Sequence, residues 1–569
     1  MLKHFLSTVA ALLCLSAGCG ENGGAELPPN HQTTAILRLK SASDTSVEVA
    51  VQLEHADEAY CAIGSVDGGI PSVIELRKGH RLTESGTATF DGLTSGTSYT
   101  VYGVAGLRGV YGDVVQLAVK TADSYPEKID AYCTTADKKS LFAPFVPARV
   151  STSGAAAREV TLDAATVYQS MEGFGPAITG SAAYNLLKMS DVDRDRILRA
   201  AFDPEEGMGY NYVRISIGCS DFSLDEYTCC DRKGIEFFEL HEYDKRDLFP
   251  VLREILAINP DVKIVAAPWT CPLWMKMPVD GSGTYDKWAG GRVDPDYYAD
   301  YAEYFVQWIL AMEENGFVIE AVTPQNEPLN QGNSASTYMS SDQQREFVKR
   351  HLGPAFEKNG IATKIWAYDH NFDVPDYATS IFADPEAAKY FDGSAWHAYG
   401  GSYTALAQVH KAAPDKHIYF TEQSIGTWCP DFGDNLMWHM SDVCLGTINN
   451  YCRAVILWNF MLDAQRGPNR PGGCTTCYGF VDCDGSYSFA SLNYRSHWYA
   501  VGHMSKVVKR GAVRIRSTGA LCSAFRNPDG SLALVLLNSE PKAQQFVVRS
   551  EKGDFLLDLP ARAVVSVAW

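Results

Sequence analysis

Residues 320–328 read EAVTPQNEP, a short apolar run that ends abruptly in polar residues. The stretch His417–Glu422 has the same design, because its apolar core ends on an acidic residue. Polar groups at the carboxyl ends of buried parallel strands are where α/β enzymes place their active sites. We therefore predict that Glu327 and Glu422 belong to one site, which only the fold brings together.

The chain from about 170 to 504 repeats one unit: an apolar strand, a loop and an amphipathic helix. Apolar residues recur at helical spacing in Tyr243–Ile258 and Tyr297–Glu314. Eight buried strands separated by helices predict an α/β fold, a (β/α)₈ TIM barrel. The candidate strands are Gly173–Thr179, Tyr212–Ile217, Lys263–Trp269, Glu320–Asn326, Lys364–Asp369, Ser394–Tyr399, His417–Glu422 and Ala454–Phe460.

Alternating β patterns lie on both sides of the barrel. Residues 33–124 contain short alternating runs broken by Gly, Asp and Ser, which predict a small β-sandwich. Within it, Phe90–Ala105 resembles the later strands of a fibronectin type III domain, with spacing as its expected role and carbohydrate binding as the alternative. Residues 505–569 alternate again, and residues 145–169 have the same character. We predict a C-terminal β-sandwich beside the barrel, completed by a strand from 145–169.

The N-terminus is typical of a targeting signal. A basic start precedes the apolar run Phe5–Leu15, which is too short to span a bilayer. Ser16-Ala-Gly-Cys19 then predicts a lipoprotein signal peptide over residues 1–19, with Cys19 lipidated and residues 20–32 as a linker. An ordinary cleaved signal is the alternative. We expect an outer-membrane or cell-surface lipoprotein, or otherwise a secreted or periplasmic protein.

Composition narrows the range of partners. The chain has 49 Lys and Arg against 68 Asp and Glu, a formal charge of −19, which disfavours nucleic acid and anionic lipid. We expect a neutral polysaccharide as substrate, membrane contact only through the lipid anchor, and a monomer.

Metal and cysteine patterns are sparse. The 13 His residues show no metal-ligand spacing, and no phosphate-binding loop is present, so we expect no metal and no cofactor. The 15 cysteines suit an oxidising compartment. Cys474-Thr-Thr-Cys477 is read as a local disulfide or as two buried thiols, and the two readings stay open.

The chemistry of two carboxyl groups at strand ends fits glycoside cleavage. One group protonates the leaving oxygen, and in retaining enzymes the other, which lies about 5 Å from the first, attacks the anomeric carbon. Asn326, directly before Glu327, is placed to bind the sugar 2-hydroxyl. A surface or salt-bridged Glu is the plain alternative, and the Asn-Glu-Pro motif after the fourth strand argues against it.

Four motifs in order resemble glycoside hydrolase family 30, the family of lysosomal glucosylceramidase. They are Gly173–Thr179, Arg214–Ser223, Ala267–Lys276 and Thr323–Pro328. The resemblance runs from about residue 160 to the C-terminus and implies a retaining mechanism, with Glu327 as acid/base and Glu422 as nucleophile. It also implies sugar-binding roles for Arg214, Asp221, Trp269, Asn326, His397, Tyr399 and Trp458.

One position separates two branches of that family. Glucosylceramidases have a Thr-Asp pair shortly after the Gly-Phe-Gly segment, whereas this chain has Thr179-Gly180, which removes a hydroxyl contact from the terminal-sugar subsite. Ala177–Ala182 is instead similar to the bacterial and fungal branch that cleaves β-1,6-glucan. Three further stretches are also similar to that branch: Cys219–Cys230, Thr323–Gly332 and Arg466–Cys474.

These resemblances lead us to expect an endo-β-1,6-glucanase. The alternatives are an exo-acting β-glucosidase or glucosylceramidase of the same family, and a non-catalytic carbohydrate-binding surface lipoprotein.

Overall fold

The computed structural model describes residues 32–66, 68–122, 124–150 and 157–569. Cys19 and the predicted signal peptide lie outside these described residues. The chain divides into two compact units, one reaching Leu93 and including Thr97–Thr121, the other comprising Thr94–Gly96 and Ala122–Trp569. Within the described ranges, no helix has the length and apolar character needed to cross a membrane.

The first unit is a β-sandwich, as predicted. One antiparallel sheet has three strands and the other has five, and alternate residues such as Val47, Val49 and Val51 point into the core between them. Its fibronectin type III character stays a prediction. The strands are Thr34–Ala42, Ser46–Glu54 and Gly86–Asp91 in one sheet, and His80–Leu82, Glu58–Ser65, Ser98–Leu107, Val110–Tyr111 and Val115–Lys120 in the other.

The second unit is built on eight parallel strands, which confirms the predicted barrel. We label them in chain order β1 Gly173–Pro176, β2 Tyr212–Ile217, β3 Lys263–Pro268, β4 Ile319–Val322, β5 Lys364–Asn371, β6 Phe391–His397, β7 His417–Glu422 and β8 Cys452–Leu457. The strands pair in sequence from β2 to β8, and β8 pairs with β1. A parallel bridge between Ala177 and Arg214 closes the ring.

Helices connect the strands and cover the outside of the barrel. In the longest, Tyr301, Phe305, Trp308 and Met312 recur at helical spacing and are all buried. The α-helices of this unit are Gly180–Lys188, Asp191–Phe202, Phe249–Ile258, Tyr298–Glu314, Ser341–Phe347, Gly353–Asn359, Asp376–Phe382, Pro385–Ala388, Ala405–Ala412, Phe432–Trp438, Leu445–Asn449 and Ser496–Ser505. Three short π-helical segments adjoin five of these helices: Asp244–Leu248, Val348–Leu352 and His439–Cys444.

Five barrel strands, β1, β3, β4, β6 and β8, end one to four residues earlier than the sequence predicted, at the end that faces the site, and β1 and β4 are two of them. β1 stops at Pro176, because Thr179 turns away to cap the following helix through its side-chain oxygen. β4 stops at Val322, so Asn326 lies in the loop beyond the strand. The residues beyond both strands are therefore free to build loops over the barrel mouth.

A nine-stranded sheet forms the side β-sandwich. Arg158–Ser170, from the predicted region, lies between the parallel strand Gln544–Arg549 and the antiparallel strand Val513–Thr518. Asp130–Thr135 also joins this sheet, and its pattern had not been assigned. The strands in sheet order are Ala143–Pro144, Asp130–Thr135, Ala563–Ala568, Leu532–Asn538, Leu521–Arg526, Val513–Thr518, Arg158–Ser170, Gln544–Arg549 and Phe555–Leu559.

Gly175 provides a test of the barrel seam between β1 and β2. A methyl group at this position would lie 1.9 Å from the carbonyl oxygen of Tyr212, so Gly175→Ala must push the strands apart. We expect a loss of about 1–3 kcal/mol in the free energy of unfolding, measured by urea denaturation. Gly180→Ala is the control, because the nearest atom there is 3.6 Å away. Equal stability of the two variants would contradict this view of the seam.

Candidate active site

A cavity of about 510 Å³ opens at the carboxyl ends of the barrel strands. The loops that follow five of the eight strands and the end of β5 contribute to its lining, and both predicted glutamates, Glu327 and Glu422, are among the lining residues. This volume lies in the range of roughly 300–1,000 Å³ typical of ligand sites. Clefts of comparable size at the junction of barrel and sandwich contain neither glutamate.

Glu422 ends β7 and is held through both carboxylate oxygens. Arg214 donates from Nη1 to one oxygen at 2.6 Å, and the Tyr399 hydroxyl donates to the other at 3.1 Å. Burial raises the pKa of Glu422, while the positive charges of His397 and Arg214 oppose that shift. A carboxyl group that accepts hydrogen bonds on both oxygens is held as a carboxylate.

Glu327 follows β4 in a left-handed backbone conformation, with φ of 45°. Its backbone N–H donates to the carbonyl of Asp369 at 3.0 Å. One carboxylate oxygen accepts from Asn330 at 2.7 Å and Asn333 at 3.3 Å, and the other lies 3.3 Å from His397 Nδ1. A strained backbone held by this many contacts is typical of a functional position.

The two glutamates are close enough for a direct nucleophilic mechanism. One carboxylate oxygen of Glu327, one of Glu422 and a ring nitrogen of His397 all lie within 4.8 Å of one another. Carboxyl groups of retaining glycosidases lie about 5–5.5 Å apart, whereas inverting enzymes need about 6.5–9.5 Å to admit a water. The observed spacing is that of the retaining class.

Asp369, at the site end of β5, holds these groups together, and the sequence analysis missed it. Its buried carboxylate accepts hydrogen bonds from Arg214 at 2.9 Å, Thr323 at 2.7 Å, Thr421 at 2.6 Å and His397 at 3.0 Å. Burial alone would raise the pKa of Asp369, but the charges of Arg214 and His397 outweigh it and hold the pKa well below its usual range. Asp369 is therefore a permanent anion under the site.

The carboxylates around His397 favour its protonated form. Burial lowers the pKa of His397, but the charge of Glu422, the hydrogen bond and charge of Asp369 and the hydrogen bond of Glu327 raise it to about 9. The reverse holds for Glu327, because burial raises its pKa while the hydrogen bond and charge of His397 hold it at about 2. His397 therefore competes with Glu327 for a proton and holds it more strongly.

The predicted sugar-binding residues fall into two layers. Those that line the cavity are Asp221, Tyr399 and Trp458. Those that lie beneath it in the buried network are Arg214, Asn326, His397 and Trp269. Trp269 is only 1% exposed and stacks on Trp458 with 5.0 Å between ring centroids, so it supports the cavity wall from behind. Burial raises the pKa of Asp221 to about 8, and the sugar contacts of all seven residues stay predictions.

Sequence reasoning also missed Asn330, Asn333 and Trp428, all of which line the cavity. The two asparagines lie three and six residues after Glu327; Asn330 falls within the stretch Thr323–Gly332 already noted for its family resemblance, and Asn333 follows directly after it. Asp369 had a usable signal, since it is a charged residue that ends the predicted apolar strand Lys364–Asp369.

The donor atoms of the site do not fit a metal ion. Among the described residues, Glu327, His397 and Glu422 form the group with ligand-like spacing. Both ring nitrogens of His397 already face carboxylates, and Arg214 places its own positive charge on Glu422. We assign no metal or cofactor to the site.

The sequence matches a known family over both parts of the second unit. Residues 171–508 match the glycosyl hydrolase family 30 TIM-barrel domain, and residues 511–567 match the β-sandwich domain of the same family. The chain belongs to glycosyl hydrolase family 30. The predicted family resemblance is therefore confirmed. The predicted glycoside hydrolase activity, which depended on that resemblance, is confirmed with it.

Several family members are closely similar. An endo-1,6-β-D-glucanase of Trichoderma harzianum is 32% identical over 400 residues, which cover 65% of this chain and 78% of that protein. A putative glucosylceramidase of Caenorhabditis elegans is 32% identical over 408 residues, which cover 67% and 77% respectively. The solved endo-β-1,6-glucanase BT3312 is 47% identical with a TM-score of 0.73, covering 78% of this chain and 99% of that one.

Asp369→Asn tests the buried network as a positioning device. Because the Asp369 charge raises the pKa of His397, its removal lowers that pKa, and the alkaline limb of the kcat/KM profile should move to lower pH. We also expect kcat/KM to fall about 100-fold, the scale of loss caused by a misplaced catalytic group. Asp392→Asn is the control, a half-buried strand carboxylate bound to His417 and Tyr419 away from the cavity. An alkaline limb unmoved by Asp369→Asn would contradict this role.

Proposed function

We propose that this glycoside hydrolase is an endo-acting β-1,6-glucanase that retains the anomeric configuration. The observation that carries the mechanism is the close approach of Glu327 and Glu422, within 4.8 Å, above a buried charge network. The substrate is supported by the endo-β-1,6-glucanases among the relatives, above all the one that is 47% identical.

In the first step, Glu422 attacks the anomeric carbon while the bond from that carbon to oxygen 6 of the next glucose breaks. Glu327 gives a proton to the departing oxygen, and a covalent glycosyl-enzyme ester results. Arg214 and Tyr399 each donate a hydrogen bond to a different oxygen of the attacking carboxylate. These two bonds fix the orientation of the carboxylate toward the anomeric carbon.

In the second step, Glu327 takes a proton from a water molecule, which attacks the anomeric carbon from the side that the leaving group vacated. The ester bond to Glu422 breaks, and the carboxylate is restored. Two displacements at the same carbon give net retention.

The proton for the first step is held by the Glu327–His397 pair as a unit. In the ligand-free site it rests on His397 Nδ1, 3.3 Å from Glu327 Oε1, and it must pass to Glu327 before the leaving oxygen can receive it. The raised pKa of His397, about 9, keeps this proton in the site at neutral pH. Activity is therefore present below that pKa and declines as pH rises through it.

The predicted sugar contacts use groups that are not already engaged by other side chains of the site. Asn326 accepts a hydrogen bond from Arg214 through Oδ1 at 2.7 Å, which leaves its amide N–H groups for the sugar 2-hydroxyl. Trp458 offers a ring at the cavity floor, and Asp221 offers a carboxyl group for hydroxyl contacts. Gly180 leaves the terminal-sugar subsite without the carboxylate of the glucosylceramidase branch.

An exo-acting β-glucosidase or glucosylceramidase is the second candidate, because a putative glucosylceramidase is also 32% identical. The non-catalytic carbohydrate-binding alternative is weaker, since Glu327 and Glu422 are both present with their supporting contacts.

We further propose a lipid anchor on Cys19, which would hold a monomeric enzyme at the outer membrane or cell surface, with the N-terminal β-sandwich, of fibronectin type III kind, as a spacer. The expected result is an acylated N-terminal Cys19 in the mass spectrum of the mature protein. A mature chain that begins elsewhere without lipid would instead support an ordinary secreted or periplasmic enzyme.

Substitution of the two glutamates separates their roles. Glu422→Gln removes the nucleophile, and we expect turnover to fall by about 10,000-fold or more on every substrate. Glu327→Ala removes the proton donor and should cost roughly 10²–10⁴-fold on glucan, but far less on aryl glycosides whose leaving groups need no proton. Glu320→Gln is the control, a strand glutamate bound to Lys263 and Lys364 instead. Equal losses for Glu327→Ala on both substrate types would contradict its role.

A hydrolysis panel tests the substrate. Linear β-1,6-glucan, β-1,3-glucan, xylan and glucosylceramide are each incubated with the enzyme, and products are separated by size. We expect a ladder of oligosaccharides from β-1,6-glucan and no release from the other three. Glucose as the sole early product, or glucose released from glucosylceramide, would favour the exo-acting candidate.

A further inference from the structure

We propose that Trp428 is the platform for a second glucosyl unit of the polysaccharide, next to the unit that Glu422 attacks. The disulfide-closed loop Cys474–Cys477 holds this platform in place. The proposal rests on the proposed function, since it concerns how the same cavity binds successive glucosyl units of the polysaccharide.

Trp428 is the most exposed of the aromatic rings that line the cavity, ahead of Tyr399 at 45%. It lies six residues after Glu422 and lines the same cavity, yet it is 58% exposed, whereas Trp458 is 2% exposed. The attacked sugar must sit between Glu327 and Glu422 at the buried end of the cavity. A ring as exposed as Trp428 lies at the rim, where the next sugar of the chain would be.

The chemistry of an exposed indole suits a pyranose. The C–H groups on one face of a glucosyl ring form an apolar surface that an aromatic ring can cover, which removes apolar area from water on both partners. An indole has only two side-chain torsions, so its ordering costs little conformational entropy.

The backbone beneath Trp428 fixes how its ring lies. A methyl group at Gly426 would be 2.2 Å from Cζ3 of Trp428 and 2.6 Å from Cη2. The six-membered ring therefore rests directly on the glycine backbone, and any side chain at residue 426 would displace it. The platform is preorganised rather than free to swing.

The loop that carries Trp428 is tied to the disulfide loop. Ile425–Gly426 pairs with Cys477–Tyr478 as a short antiparallel ladder, and the Thr427 N–H donates to the Thr476 carbonyl at 2.9 Å. The disulfide between Cys474 and Cys477 closes that second loop, and both cysteines line the cavity. The loop after β8 thus braces the loop after β7 through backbone hydrogen bonds, and the disulfide closes the loop after β8.

Binding to an inactive enzyme tests the platform directly. In a Glu422→Gln background, β-1,6-linked gluco-oligosaccharides of one to five units are titrated by calorimetry. We expect oligosaccharides of two or more units to bind much more tightly than a single unit. Trp428→Ala should weaken the binding of these longer oligosaccharides by at least about tenfold. Trp428→Phe should keep most of their affinity. Tyr168→Ala, which removes an exposed ring outside the cavity, should keep all of it.

Kinetics of the active enzyme give a second readout. Trp428→Ala should lower kcat/KM on β-1,6-glucan mainly by raising KM, and its loss on glucan should exceed its loss on a single-sugar aryl β-glucoside by about tenfold or more. Equal losses on the two substrates, or undiminished oligosaccharide affinity in Trp428→Ala, would overturn the platform. Failure of the parent enzyme to bind any β-1,6-linked oligosaccharide would instead overturn the proposed function.

The disulfide is tested through the same readouts. The double variant Cys474→Ser/Cys477→Ser should show part of the Trp428→Ala defect on glucan, and reduction of the parent enzyme by dithiothreitol should reproduce it. Dithiothreitol should have no further effect on the double variant, which controls for other thiols. Full oligosaccharide affinity in the double variant would show that the loop does not position Trp428.

Discussion

The buried ion pair between Arg214 and Asp369 is the interaction on which the site depends. Two charges removed from water are costly unless hydrogen bonds satisfy them, and here the pair binds groups at the ends of three other strands. Arg214 also binds Glu422 and Asn326, while Asp369 binds Thr323, Thr421 and His397. Strands β2, β4, β5, β6 and β7 are therefore linked by side-chain hydrogen bonds at the level where the chemistry occurs, and loss of either member of the pair leaves the other with one opposite charge fewer in a buried site.

The same network sets the electrostatic character of the cavity floor. Glu327, Glu422 and Asp369 carry negative charge, whereas Arg214 and His397 carry positive charge, so the cluster keeps one net negative charge. Glycoside cleavage passes through a state in which positive charge develops on the sugar ring. A rigid cluster with a net negative charge stabilises that transition state more than the neutral substrate. The charged groups are already in position, so they need not reorganise when the reaction occurs.

The barrel and its two glutamates could be predicted from the sequence because both leave local traces. Apolar runs of strand length recur between helical patterns, and Glu327 and Glu422 stand where such runs end. Asp369 and Trp428 leave weaker traces, since the importance of each depends on groups distant in the chain: Asp369 on Arg214, and Trp428 on the loop Cys474–Cys477. The strand Asp130–Thr135 escaped for a similar reason, because it is short and its partner Ala563–Ala568 lies near the other end of the chain.

That last pairing bears on how the protein reaches its folded state. The strand Asp130–Thr135 precedes the whole barrel, whereas its neighbour in the sheet, Ala563–Ala568, follows it. Contacts so distant in sequence form slowly, and exposed strand edges invite pairing with other chains in the meantime. The side sandwich can be completed only when the segments before and after the barrel have both emerged. A chain cut before Ala563 would therefore leave Asp130–Thr135 and Leu532–Asn538 without the strand that lies between them, and both open edges would invite pairing with other chains.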